Sequence, residues 1–75
     1  MPRYFFHIQH GQHHADETGI DLPGKDAAWG EAILTAGQLL RDLDGALKPG
    51  HEWRLEVTDE AANPVCVLRI LAERH

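Results

Sequence analysis

The chain has one cysteine, Cys66, among its 75 residues. An internal disulfide is therefore excluded, and such thiol usage suits a reducing cytoplasm. No stretch approaches the roughly 18 apolar residues that a membrane span requires. The opening Met1-Pro2-Arg3-Tyr4-Phe5-Phe6-His7 carries one positive charge, a short apolar run and no small-residue cleavage site, which argues against a signal peptide. Basic residues are few: seven Lys and Arg stand against twelve Asp and Glu, a formal net charge of −5. They are scattered from Arg3 to Arg74 without forming a run, so a polyanion is repelled overall and nucleic-acid binding is disfavoured as the main activity. No G-x-S-x-G, P-loop, dinucleotide fingerprint or C-x-x-C is present, so no cofactor is expected. A domain of this size also offers little volume for a substrate pocket, and an enzyme is not expected.

What is present is one amphipathic stretch, from Lys25 to about Leu47. On a helix at about 100° per residue, Trp29, Ala32, Ile33, Ala36, Leu39, Leu40, Leu43 and Leu47 fall within an arc of roughly 120°. Glu31, Gln38, Asp42 and Gly45 lie opposite. Gly24 is the expected N-cap, Asp26 complements the positive helix end, and Pro49-Gly50 ends the segment.

On either side lie short alternating segments that read as strands. Tyr4, Phe6 and Ile8 share an inward face, with Phe5, His7 and Gln9 outward. A turn is expected over His10-Gly11-Gln12-His13. A second short strand follows around Gly19 to Leu22, with Ile20 and Leu22 inward, entered through a bend or bulge at Asp16-Glu17-Thr18-Gly19. Beyond the helix, Trp53, Leu55 and Val57 alternate with Arg54, Glu56 and Thr58. Asp59 to Pro64 forms a hairpin connection, and Cys66, Leu68 and Ile70 point inward from the last strand, Val65 to about Leu71. The expected architecture is a single α+β domain over residues 1–75, two layers in the order β-β-α-β-β, with one helix on a four-stranded, mainly antiparallel sheet. Its second sheet face has no helix to cover it.

Three segments carry a family resemblance: the opening Met1-Pro2-Arg3-Tyr4-Phe5-Phe6-His7, Asp16-Glu17-x-Gly19-Ile20-x-Leu22-Pro23, and Val57-Thr58-Asp59-Glu60. Together they resemble a family of short bacterial proteins known only as a domain of unknown function. The resemblance implies a standalone cytoplasmic domain of this layout and supplies no activity, substrate or catalytic residue. The helix glycines and the histidines after His7 depart from the family's usual pattern.

The leading expectation is a non-enzymatic interaction module that acts as a homodimer or on a protein partner, for which a net charge of −5 favours a basic surface. The uncovered sheet face, with Phe5, His7, Val65, Val67, Arg69 and Leu71, is one candidate interface. Gly30, Leu34 and Gly37 form a second, a line along the helix where another backbone could approach closely. The alternative is a transition-metal site built from His7, His10, His13 and His14. That spacing matches no established site, and exposed turn histidines are the default. The paired acids Asp16-Glu17, Asp42-Asp44 and Asp59-Glu60 read as solvated charge, and Cys66 as a small core residue.

Overall fold

The computed structural model describes residues 1–10, 12–43 and 50–75, and of residues 10, 12–14 and 43 it describes the backbone alone. The elements are β1 (Arg3–His10), β2 (Gln12–His14), β3 (Ile20–Asp21), α1 (Lys25–Leu43), β4 (Glu52–Thr58) and β5 (Pro64–Leu71). Every strand pairing is antiparallel. β4 lies between β1 and β5, and the far side of β1 is shared by two short strands. β2 pairs with the C-terminal part of β1, from Ile8↔His14 to His10↔Gln12, and β3 pairs with its start at Arg3↔Asp21 and Tyr4↔Ile20. The α+β, two-layer arrangement stands, with one refinement. The second strand is an interrupted edge, and residues 12–14, of which Gln12 and His13 are expected in a turn, form its first piece. The expectations at Asp44, Gly45, Leu47 and Pro49 lie outside the described residues.

The alternation read from the strands fixes which side faces the helix. Tyr4, Phe6, Leu55 and Val57 are buried, with Ile8, Cys66 and Leu68 packed beside them. The pairs Phe6↔Val57, Ile8↔Leu55, Val57↔Cys66 and Leu55↔Leu68 place these side chains on one face. Among the described residues Leu55 and Val57 are the largest that are fully buried, each contributing about 2 kcal/mol through apolar burial. Ile20, expected inward, stays 40% exposed at the edge.

Val65 does not join the uncovered sheet face. Thr58 pairs with Pro64 while Val57 pairs with Cys66, which leaves Val65 as an extra residue in β5. A bulge of this kind disturbs the alternation and re-aims a side chain. Val65 accordingly packs against the core.

The helix is turned relative to the expected stripe. Ala32 and Ala36 face the sheet as expected and Ala28 joins them, wholly buried like Ala32, whereas Trp29, Ile33 and Leu40 are 50%, 48% and 43% exposed. The cause lies in the sheet. Its inner face is already filled by Tyr4, Phe6 and Leu55, so a helix approaches closely only through small side chains. Gly24 starts the helix as expected, its carbonyl accepting from the Ala28 N–H at 3.0 Å. No helix among the described residues is long and apolar enough to cross a membrane.

Candidate functional site

The break between β2 and β3 leaves the outer edge of β1 unpaired around Phe6, whose other side pairs with Val57 of β4. Asp16 fills that gap. Its Oδ2 accepts the Phe6 N–H at 3.1 Å, and its Oδ1 accepts Thr18 N–H at 3.0 Å and Gly19 N–H at 3.1 Å. The Asp16 N–H in turn donates to His7 Nδ1 at 3.0 Å. A neutral imidazole that accepts at Nδ1 carries its proton on Nε2. That nitrogen lies 3.0 Å from Oγ1 of the buried Thr58 and therefore donates to it. The order Thr58–His7–Asp16 invites comparison with a nucleophile–base–acid set. The proton placement rules that chemistry out in this arrangement. Nε2 holds a proton rather than taking one from Thr58, and Asp16 reaches the ring through its backbone, not its carboxylate. The cluster is a clasp that ties residues 16–19 across the start of the sheet.

Partial burial raises the Asp16 carboxyl pKa, but hydrogen bonds from the N–H groups of Phe6, Gly19 and Thr18 outweigh it and hold the group below the usual carboxylate range. Beside it, Arg3 is bidentate to Asp21, at 3.0 and 3.3 Å, and donates to the Thr18 carbonyl at 3.1 Å. Phe5 stacks on His7 with ring centroids 6.4 Å apart. The part of the sheet face expected to be open at Phe5 and His7 is thus half-buried beneath this loop.

The remainder of that face is mixed in character. Arg54 and Arg69 stand opposite one another, and each meets its own carboxylate: Arg54 Nη2 to Glu56 Oε2 at 3.2 Å, Arg69 Nε to Glu52 Oε1 at 3.5 Å. Val67 and Leu71 are exposed among these charges. Phe5, Val67, Arg69 and Leu71 therefore share a face without forming one apolar patch.

The outer side of α1 differs. Trp29, Ile33, Leu34 and Leu40 are all exposed there, Leu34 by 65%. Gly30 and Gly37 are exposed between them, and a Cβ built on either meets nothing within 4 Å. A shallow groove of about 310 Å³ runs past Ile33, Leu34, Gly37, Gln38 and Arg41. Gly30, Leu34 and Gly37, singled out from spacing alone, lie on this surface. Trp29, Ile33 and Leu40, expected on the sheet-facing stripe, lie here instead. Of the candidate metal ligands, His7 is engaged in the clasp, while the side chains of His10, His13 and His14 lie outside the described residues. Among the described residues no three His, Cys, Asp or Glu side chains gather as a metal site. Burial raises the pKa of the Cys66 thiol, which makes it a poor nucleophile.

Asp16 was the main residue missed. Its signal was legible as the spacing Asp16-x-x-Gly19, in which an aspartate oxygen accepts from backbone N–H groups two and three positions on. No curated protein and no solved structure matches the chain significantly. A family model described as a domain of unknown function, DUF6894, matches residues 3–72, and the chain belongs to that family.

Proposed function

We propose that this domain is a non-enzymatic protein-interaction module that docks a protein through the outer face of α1. One observation carries the reading: α1 assigns its alanines to the core and leaves four large apolar side chains, Trp29, Ile33, Leu34 and Leu40, 43–65% exposed on one element. An apolar surface of this kind on a small domain marks a contact site. The neighbouring groove is shallow, and the clasp at His7 holds its protons in positions that favour structure over proton transfer, which supports binding over catalysis.

The test is native mass spectrometry of the untagged protein beside Ile33→Glu. The wild-type chain is expected to carry a protein partner, a second copy or another chain, that Ile33→Glu loses while keeping its circular-dichroism spectrum. Retention of the same partner by Ile33→Glu would overturn the reading. Val67→Glu is the matched control on the sheet face, where loss of the partner would move the contact there.

A further inference from the structure

The outer face of α1 is self-complementary. Asp26, Gly30, Ile33, Leu34, Gly37 and Arg41 fall within an arc of roughly 100° at 100° per residue. This arc is opposite the one that buries Ala28, Ala32 and Ala36. Their separations are 4, 3, 1, 3 and 4 residues, the same read from either end. Their chemistry reads acid, glycine, aliphatic, aliphatic, glycine, base. A two-fold axis through the midpoint between Ile33 and Leu34 therefore brings Asp26 of one chain opposite Arg41 of the other, twice. The same operation sets Gly30 opposite Gly37 and the aliphatic pair against its own copy. A C2 interface demands this of a surface: the same patch on both subunits, each residue meeting the one that answers it.

We propose that the partner of this face is a second copy of the chain, packed antiparallel along α1 in the register that pairs Asp26 with Arg41 and Gly30 with Gly37. The inference rests on the proposed role of the outer helix face and adds the occupant and its register. The charges are correctly placed for it. Asp26 lies in the first turn and Arg41 in the last, both exposed, and neither makes an ion pair among the described residues. The two glycines remove the side chains that would hold the backbones apart, and the space over each is open. Ile33 and Leu34 then pack at the centre, with Trp29 and Leu40 along the margin. The seam from residue 26 to residue 41 is about 22 Å long. An interface of that length belongs to the small class, so association in the micromolar range is expected.

The deciding experiment uses two charge reversals, D26R and R41D, at exposed positions, with folding checked by circular dichroism. Native mass spectrometry and sedimentation equilibrium are run from about 1 to 500 μM, a range that brackets micromolar affinity. In this register each single variant places like charges together at both ends, so each homodimer should weaken at least about tenfold. Mixing the two variants restores opposite charges at both ends. An equimolar mixture should therefore give the heterodimer mass almost exclusively, at close to wild-type affinity.

A wild-type chain that stays monomeric throughout the range overturns the second-copy proposal and leaves the docking face to a different protein. A dimer broken by Ile33→Glu but indifferent to the charge reversals overturns the register alone. A dimer indifferent to Ile33→Glu overturns the face itself, and this proposal with it.

Discussion

Asp16 concentrates more backbone hydrogen bonding than any sequence pattern around it would suggest. Three N–H groups converge on its carboxylate, one of them from Phe6, which faces the gap between β2 and β3 on the outer edge of β1. Removing the carboxylate in Asp16→Ala leaves these donors unmatched and is expected to destabilise the fold by about 2 kcal/mol in urea unfolding. Asp16 also titrates below its unfolded value. Its carboxylate therefore stabilises the fold fully above about pH 4, the ordinary range, and that contribution disappears as pH falls through the lower folded pKa. Asp21, held low by the Arg3 hydrogen bond, and Asp59, held low chiefly by the Asn63 N–H, act in the same direction. Asp16→Asn should thus flatten the acid limb of stability without abolishing it, and an unchanged limb would assign that limb to the other two. At Gly19 two requirements coincide. Its φ is +74°, and a Cβ there would come within 2.7 Å of Arg3 Cγ and 2.9 Å of Phe5 Cε1. Gly19→Ala should destabilise by roughly 2 kcal/mol, combining backbone strain with a clash. Ala62 presents the opposite case, a left-handed residue with φ 65° that is not glycine. Ala62→Gly is expected to stabilise by about 0.5 kcal/mol, since relieved strain exceeds the added chain entropy, and a thermal melt would read it.

At the scale of elements, the helix decides how the molecule meets its surroundings. Its contact with the sheet runs through Ala28, Ala32 and Ala36, whose smallness sets how near the two layers lie. Ala32 is wholly buried, so Ala32→Leu forces the layers apart and should destabilise by about 1–3 kcal/mol, despite leucine being a good helix former. The outer face responds in the opposite sense. Gly30→Ala adds a methyl into open space and should raise helix stability by about 1 kcal/mol in dilute protein. If the outer face pairs with a second copy, the same methyl should weaken association as it stabilises the monomer. Melting at low concentration and sedimentation at high concentration separate the two effects. The edge strand shows another element-level device. Splitting it into β2 and β3 shortens each piece, and short edges offer little template for unwanted strand pairing.

For the molecule as a whole, size sets the terms. A chain of 75 residues buries only about 60% of the surface that its unfolded state exposes, so its margin of stability is narrow. A second copy over the exposed Trp29, Ile33, Leu34 and Leu40 would add buried apolar area where a single chain has none to spare. Such linkage makes the melting temperature rise with protein concentration. Scans across a hundredfold concentration range should show that rise for the wild-type chain and not for Ile33→Glu.

The sequence by itself determined the helix, the three long strands and most of their facing, because period-two alternation leaves one choice once a face is buried. Tyr4, Phe6, Leu55 and Val57 were legible as core for that reason. It also marked Gly30, Leu34 and Gly37 as lying outside the apolar arc. The rotation of the helix depended on tertiary packing. Within the expected arc Trp29, Ile33 and Leu40 compete with Ala32 and Ala36 for the sheet, and hydrophobicity alone favours the larger set. The sheet, already full of aromatic and branched side chains, admits only the smaller. Tertiary structure likewise decided the bulge that turned Val65 inward and the loop that carried Asp16 to Phe6 and His7. Both outcomes rest on contacts between separate segments, which the periodicity within each one does not record.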